Sequence, residues 1–270
     1  YSIMSSNTYY GENALANNEG INNSAFGANS SSTSITANNN TSIGAYSLTN
    51  NIDGSCNVAN GTNALLSNTN GSYNTALGTA TLCFNSDGSN NTAVGCNSLE
   101  NNNGSFNTSV GSLSLFCSNG ISTGSNNTAV GCSSLYSNTT GYDNVAVGNN
   151  ALKKNTSGYY NVAIGSSALQ DITSHYQNTA VGYGALAKSN TNANTAVGHD
   201  ALHNNTSGTD NVAVGWSSSY ALTTSSGNTS IGLSSNEWNT GLYNTAVGCQ
   251  SLQGANGSST GGYNTAVGYQ

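Results

Sequence analysis

Polar and apolar positions repeat along this chain with a period of 17 residues. The clearest copy of the pattern is Asn91-Thr92-Ala93-Val94-Gly95. The same five residues return from Asn127, Asn178, Asn194, Asn244 and Asn264. Close variants begin at Asn23, Asn40, Asn57, Asn74, Asn107, Asn144, Asn161, Asn211 and Asn228, and a degenerate copy begins at Asn7. Most copies lie 17 residues apart, a few lie 16 apart, and two gaps are of 20.

Each part of the repeat has a physical reading. Thr-Ala-Val, a small residue between β-branched ones, suits a short strand. Its Ala points to one face and the flanking pair to the other. The following Gly suits a sharp bend at positive φ. The Ala-Leu pairs, as at Ala151-Leu152 and Ala168-Leu169, predict a second short strand, and Asn-x-Thr/Ser-Gly, as at Asn155–Gly158, predicts a turn. A helical-hairpin repeat needs about 34 residues, and the density of Gly and Asn opposes helix. Two short strands and two turns per repeat therefore predict an all-β fold, a parallel β-solenoid (β-roll) of about sixteen 17-residue coils. No linker interrupts the period, so residues 1–270 read as a single continuous repeat domain.

Stacking the coils sets like residues above one another. The motif asparagines from Asn23 to Asn264 are expected to form a structural ladder, since stacked amides can hydrogen-bond from coil to coil. Leu48, Leu65, Leu82, Leu99, Leu115, Leu135, Leu152, Leu169, Leu186, Leu202 and Leu252 are expected to form the core column. Ser31, Ser219 and Asn236 stand where other coils carry Leu, so those coils are expected to be irregular. The two long turns, Asn119–Gly124 and Asn256–Gly261, share a sequence pattern at a separation of 137 residues (256 − 119), consistent with a second-order repeat of about eight coils. With so thin a core, the Thr/Val and Val/Ile face is expected to bury itself against further copies, as a homotrimer or an end-to-end filament.

Composition narrows the partners. Charged residues are 5% of the chain, against roughly 25% in ordinary soluble proteins. The net charge is −7 with three Lys and no Arg, which excludes nucleic acid as a partner and disfavours an anionic membrane surface. No apolar run is long enough to insert in a membrane as a helix. A start at Tyr1-Ser2-Ile3 without Met is expected of a segment of a longer protein. The six cysteines, at 56, 83, 96, 117, 132 and 249, lack metal or redox spacing. Cys96 and Cys132 would lie two coils apart, roughly 9–10 Å, beyond the roughly 7 Å a disulfide spans. They read as small fillers.

Candidate chemistry is sparse. His199-Asp200-Ala201-Leu202-His203 is read as surface variation, not a metal pair, because the two imidazoles need not converge in a strand–turn coil. No cofactor motif and no catalytic pair stands out, and an enzyme is not expected. Sequons at Asn70, Asn103, Asn138, Asn155 and Asn205 fall in or near the turn, where an accessible side chain could carry glycan. Tyr142, Tyr159, Tyr160, Tyr243 and Tyr263 cluster before the motif, either as a packing ladder or as a sugar-binding face for cell-surface glycans. A regular Thr column also admits ice as a ligand.

The Asn-[Thr/Val]-Ala-[Val/Ile]-Gly core resembles the head repeats of trimeric autotransporter adhesins, whose coils carry a similar Ser-Val-Ala-Ile-Gly core. The 17-residue form, with Ala151-Leu152, Asn138-Thr139-Thr140-Gly141 and Tyr269-Gln270, is similar to repeats of bacterial and phage tail-fibre-type proteins. The resemblance implies a left-handed parallel β-roll. It also implies an extracellular structural fibre or adhesin shaft on a cell or virion surface.

Overall fold

The computed structural model describes residues 6–118, 120–254 and 259–269. Asn119 and Asn256, which open the two long turns, and Gln270 lie outside them. The described chain is all-β, a parallel β-solenoid, and forms two compact units that divide between Thr140 and Gly141. The first unit holds β1 (Thr8–Tyr10), β2 (Ser24–Phe26), β3 (Thr41–Ile43), β4 (Val58–Asn60), β5 (Thr75–Leu77), β6 (Thr92–Val94), β7 (Thr108–Val110) and β8 (Thr128–Val130). The second holds β9 (Val145–Val147), β10 (Val162–Ile164), β11 (Thr179–Val181), β12 (Thr195–Val197), β13 (Val212–Val214), β14 (Thr229–Ile231), β15 (Thr245–Val247) and β16 (Thr265–Val267).

Within each unit successive strands pair in parallel and in chain order. Motif residues meet their counterparts, so Ala76 faces Ala93 and Ala163 faces Ala180. Every strand is three residues long, and its middle residue is the buried one in all but the first and last. Ala93 and Ala163 are fully buried, while their neighbours keep solvent contact. The period-2 alternation of a strand accounts for this.

The second strand expected in each coil does not form. The Ala-Leu segment is a run of turns, because φ is positive at the Leu (51° at Leu65 and at Leu152) and again two residues earlier (59° at Asn63, 57° at Asn150). Left-handed residues cannot sit in a pleated strand. The segment is still tied from coil to coil: the Leu65 amide donates to the Thr81 carbonyl at 3.0 Å and the Ser67 amide to Cys83 at 2.9 Å. A third left-handed residue, such as Tyr73 at 60° or Tyr160 at 55°, precedes each motif Asn. With the motif Gly, a 17-residue circuit thus closes on four positive-φ positions.

The Leu column is buried from Leu48 to Leu202, but Leu252 is only half-buried. The coil above it, which carries β16, is itself largely exposed and covers it incompletely. The coils lacking Leu are not irregular at that position. Ser31, Ser219 and Asn236 take φ of 49°, 53° and 52°, the same path as the leucines. Coil-to-coil backbone bonds hold the path, and the core at these points turns polar. The two long turns share one local arrangement, an isolated parallel bridge joining Asn102 to Ser122 in the first unit and Asn239 to Ser259 in the second.

Serine enters the strand's inward column at Ser42, Ser109 and Ser230, and each time it meets serine across the core. Ser42 Oγ lies 2.6 Å from Ser30 Oγ and 3.2 Å from Ser31 Oγ. The Ser98 hydroxyl reaches Ser109 at 2.8 Å, and the Ser219 hydroxyl reaches Ser230 at 2.7 Å. A buried hydroxyl without a partner would cost about 1–3 kcal/mol, so these sites are matched sets.

Candidate functional site

From Asn23 to Asn244 the motif asparagines are buried on the strand's N-terminal flank, while Asn264 is exposed, and their ladder runs mainly between side chain and backbone. The Asn57 amide N–H donates to Asn40 Oδ1 at 2.8 Å, Asn74 to Asn57 at 2.9 Å and Asn91 to Asn74 at 3.0 Å. In the second unit Asn161 donates to Asn144 at 3.0 Å and Asn178 to Asn161 at 3.1 Å. The Nδ2 atoms donate to turn carbonyls, often of Gly, as Asn57 does to Gly71 at 2.9 Å, and elsewhere of other residues, as Asn161 does to His175 at 2.9 Å.

A second asparagine ladder was hidden in the turn. Asn51, Asn68, Asn85, Asn102, Asn138, Asn155 and Asn205 are fully buried. Asn68 Nδ2 donates to Asn51 Oδ1 at 2.7 Å and to the Gly71 carbonyl at 2.9 Å, so that one carbonyl serves both ladders. Asn205 and Asn194 share the Gly208 carbonyl in the same way. The sequon expectation is therefore corrected at Asn138, Asn155 and Asn205, whose amides face the core. Asn70 is exposed, although its Nδ2 donates to Asp87 Oδ1 at 2.8 Å, and Asn103 is half-buried. The signal that separates the two kinds is position: the buried Asn always falls three residues after the Leu column.

The tyrosines stack on one another. Tyr142 and Tyr159 lie 4.9 Å apart at 2°, and Tyr159 and Tyr176 lie 4.8 Å apart at 8°, with Tyr160 edge-on to both Tyr142 and Tyr159. Their spacing is that of the coils. The facing ring surfaces are spent on each other, so this row packs as a ladder. Tyr243 and Tyr263 stack at 5.3 Å.

His199, Asp200 and His203 do converge, contrary to expectation. The tight run of left-handed turns folds both imidazoles onto one carboxylate, His199 Nδ1 at 3.2 Å and His203 Nδ1 at 3.0 Å from Asp200. The Gly184 carbonyl also lies 3.1 Å from His203 Nδ1. With both Nδ1 atoms turned to the acid, the trio is a close polar cluster. Among the described residues no three His, Cys, Asp or Glu are grouped to hold a metal ion. His199 stacks on Tyr183 at 5.1 Å, and His203 on Tyr220 at 5.6 Å. Lys154 Nζ meets Asp171 Oδ1 at 2.8 Å.

Among the described residues three titrating groups are shifted, one of them the Tyr142 phenol, raised by desolvation and by its neighbours Tyr160 and Tyr159. Hydrogen bonds from Ser86 and Asn70 hold Asp87 below the usual carboxylate range. Burial, helped by the Glu100 carboxylate, pushes the Cys83 thiol up to about 11. Cys96 and Cys132 are exposed and free, unbridged as their spacing requires. A thiol-reactive disulfide reagent at pH 8 is accordingly expected to label Cys96 and Cys132 within minutes and Cys83 only upon unfolding, because the thiolate is the reacting form. Mass spectrometry of the labelled chain checks this; fast labelling of Cys83 would contradict its burial. The raised thiol also contributes stability that is present below its ordinary value of about 9 and is lost as pH rises toward 11.

The outward face of the strands is a regular surface. Ile43, Ile164 and Ile231 are each about 40% exposed, and Leu77, Val110, Val130 and Val197 show similar exposure. They stand in register from strand to strand, beside the Thr/Val column. Among the described residues no helix is long and apolar enough to cross a membrane. The chain matches no protein-family model and no curated protein.

Proposed function

We propose that this β-solenoid repeat module is a structural shaft that associates with itself through the outward face of its strands. Its assembled form, on this reading, is a homotrimer or an end-to-end filament, and its setting is the surface of a cell or virion, as in the families its repeat resembles. One observation carries the reading. Val or Ile occupies the outward third position of most strands in both units, part-exposed, and the strands carry no charged residue. Contiguous apolar surface of this kind marks association sites, and covering it would add burial to coils whose own core is a single Leu and two small residues. The repeat supplies length and rigidity, since each coil touches only its neighbours. No reaction is assigned to it.

Sedimentation velocity of the full chain, from low to high micromolar concentration, tests the proposal. The expected result is an oligomer that Ile164→Lys with Ile231→Lys returns to monomer, with an unchanged far-ultraviolet circular dichroism spectrum. A native chain that sediments as a monomer throughout would sink the self-association reading.

A further inference from the structure

The second unit contains a ladder with a missing rung. Gln170, Ala187, His203 and Tyr220 occupy the same position, five residues after the motif Gly, in four successive coils. Three of them carry large side chains. Ala187 does not, and neither does Gly184, three residues before it. The result is an open cavity of about 230 Å³ above Gly184 and Ala187, walled by Gln170 and Asp171 from the coil before and His203 from the coil after. Tyr183 and Lys188 close its sides.

The walls are held in place from behind. The His203 ring is backed by Tyr220 at 5.6 Å and 19°, and its Nδ1 is fixed by Asp200 at 3.0 Å. Tyr183 is backed by His199 at 5.1 Å. Its neighbour in the same column on the other side is Ser166, too small to cover a ring. Asp171 is steered by Lys154 at 2.8 Å, and Lys188 by Asn204 at 2.8 Å. A Cβ on Gly184 would stand 2.3 Å from Asp200 Oδ1 and 3.1 Å from His203 Nδ1, so a side chain there would displace the wall of the cavity.

Coils on either side of the gap are two spacings apart, about 9–10 Å, which leaves the thickness of one ring. The volume is below the roughly 300–1,000 Å³ of sites that enclose drug-sized ligands. The lining joins apolar ring surface to an amide, a carboxylate, an ammonium and an imidazole, with both charge signs present. That combination suits a neutral ring bearing several hydroxyls, with its C–H face on an aromatic and its hydroxyls on the polar rim. We propose that this slot binds a single pyranose, free or at the end of a glycan. The inference is independent of self-association, since it is read by ligand binding and not by sedimentation.

Saturation-transfer difference NMR on the full chain tests it with glucose, galactose, mannose and N-acetylglucosamine, and with sorbitol as an open-chain polyol. At least one pyranose is expected to receive saturation and sorbitol none. Ala187→Gln restores the rung that Gln170 supplies one coil earlier, and it is expected to weaken binding at least tenfold. If that variant loses its fold, Lys188→Met at an exposed position is expected to weaken binding several-fold. Silence from all four pyranoses, equal signal from sorbitol, or binding undiminished in the folded variants would each overturn the assignment.

Discussion

Gly165→Ala is expected to destabilise the chain by about 4 kcal/mol or more, or to prevent the second unit from folding. Two terms act together. φ at Gly165 is +136°, a region essentially closed to residues with a Cβ. The added carbon would also stand 2.3 Å from the Gly182 carbonyl oxygen and 2.6 Å from its carbon. Both are backbone atoms of the next coil, so no rotamer change relieves the overlap. The next coil cannot move away either, because the Gly182 amide donates to the Ile164 carbonyl at 2.7 Å. Lys154→Ala is the control. It deletes a surface ion pair with Asp171 and is expected to cost at most about 1 kcal/mol. Urea unfolding followed by circular dichroism measures both. A loss under about 1 kcal/mol for Gly165→Ala would mean that the coils are not held at the spacing described.

The second large effect has the opposite sign. Asn236→Leu is expected to stabilise the chain by about 2 kcal/mol. Asn236 is fully buried in the Leu column, and neither its Oδ1 nor its Nδ2 has a hydrogen-bond partner. An orphaned buried amide costs about 1–3 kcal/mol, and burial of a Leu side chain contributes about 1.5–3 kcal/mol. Against these stands the easier entry of Asn into left-handed backbone, an offset of about 1 kcal/mol. Leucines elsewhere in the column already accept that backbone, with φ between 48° and 53° from Leu48 to Leu252. Asn236→Ala separates the terms, since it removes the orphaned amide and fills nothing. It is expected to gain less than Leu. A melting temperature lowered by Asn236→Leu would show that the polar core is built around that amide.

Much of this architecture was legible from the 17-residue period. The strand, its inward Ala and the bend at Gly followed from residue types whose preferences agree with the fold. The second half of the coil was not legible, and the reason is specific. Leu152 looks like a strand or helix residue, yet it adopts φ of 51°. Tertiary ties such as the bond from the Leu152 amide to the Ala168 carbonyl override its local preference. Asn155-Thr156-Ser157-Gly158 has the same local chemistry whether Asn155 points out or in. Only the shared Gly158 carbonyl, at 2.8 Å from Asn144 and 3.1 Å from Asn155, shows that it points in. The slot beside His203 was illegible for another reason. It exists through what Gly184 and Ala187 lack relative to the coils on either side, a relation that no single repeat contains.

The matched serines bear on how such a chain can lengthen. Ser98 belongs to the coil opened by Asn91, and its partner Ser109 belongs to the coil opened by Asn107. Ser30 and Ser42 straddle a boundary in the same way, as do Ser219 and Ser230. Copying the single coil opened by Asn107 would set the copied Ser109 against Ser114, which holds the column position of Ser98 and already bonds Ser109 within its own coil. Copying a coil centred on Ala163 strands no hydroxyl. Growth by duplication of single coils is therefore cheap within the Ala-lined runs. Each serine-bearing coil also carries a buried serine in the partner column, at Ser47, Ser114 and Ser235, so there too the smallest unit that can be inherited intact is a single coil.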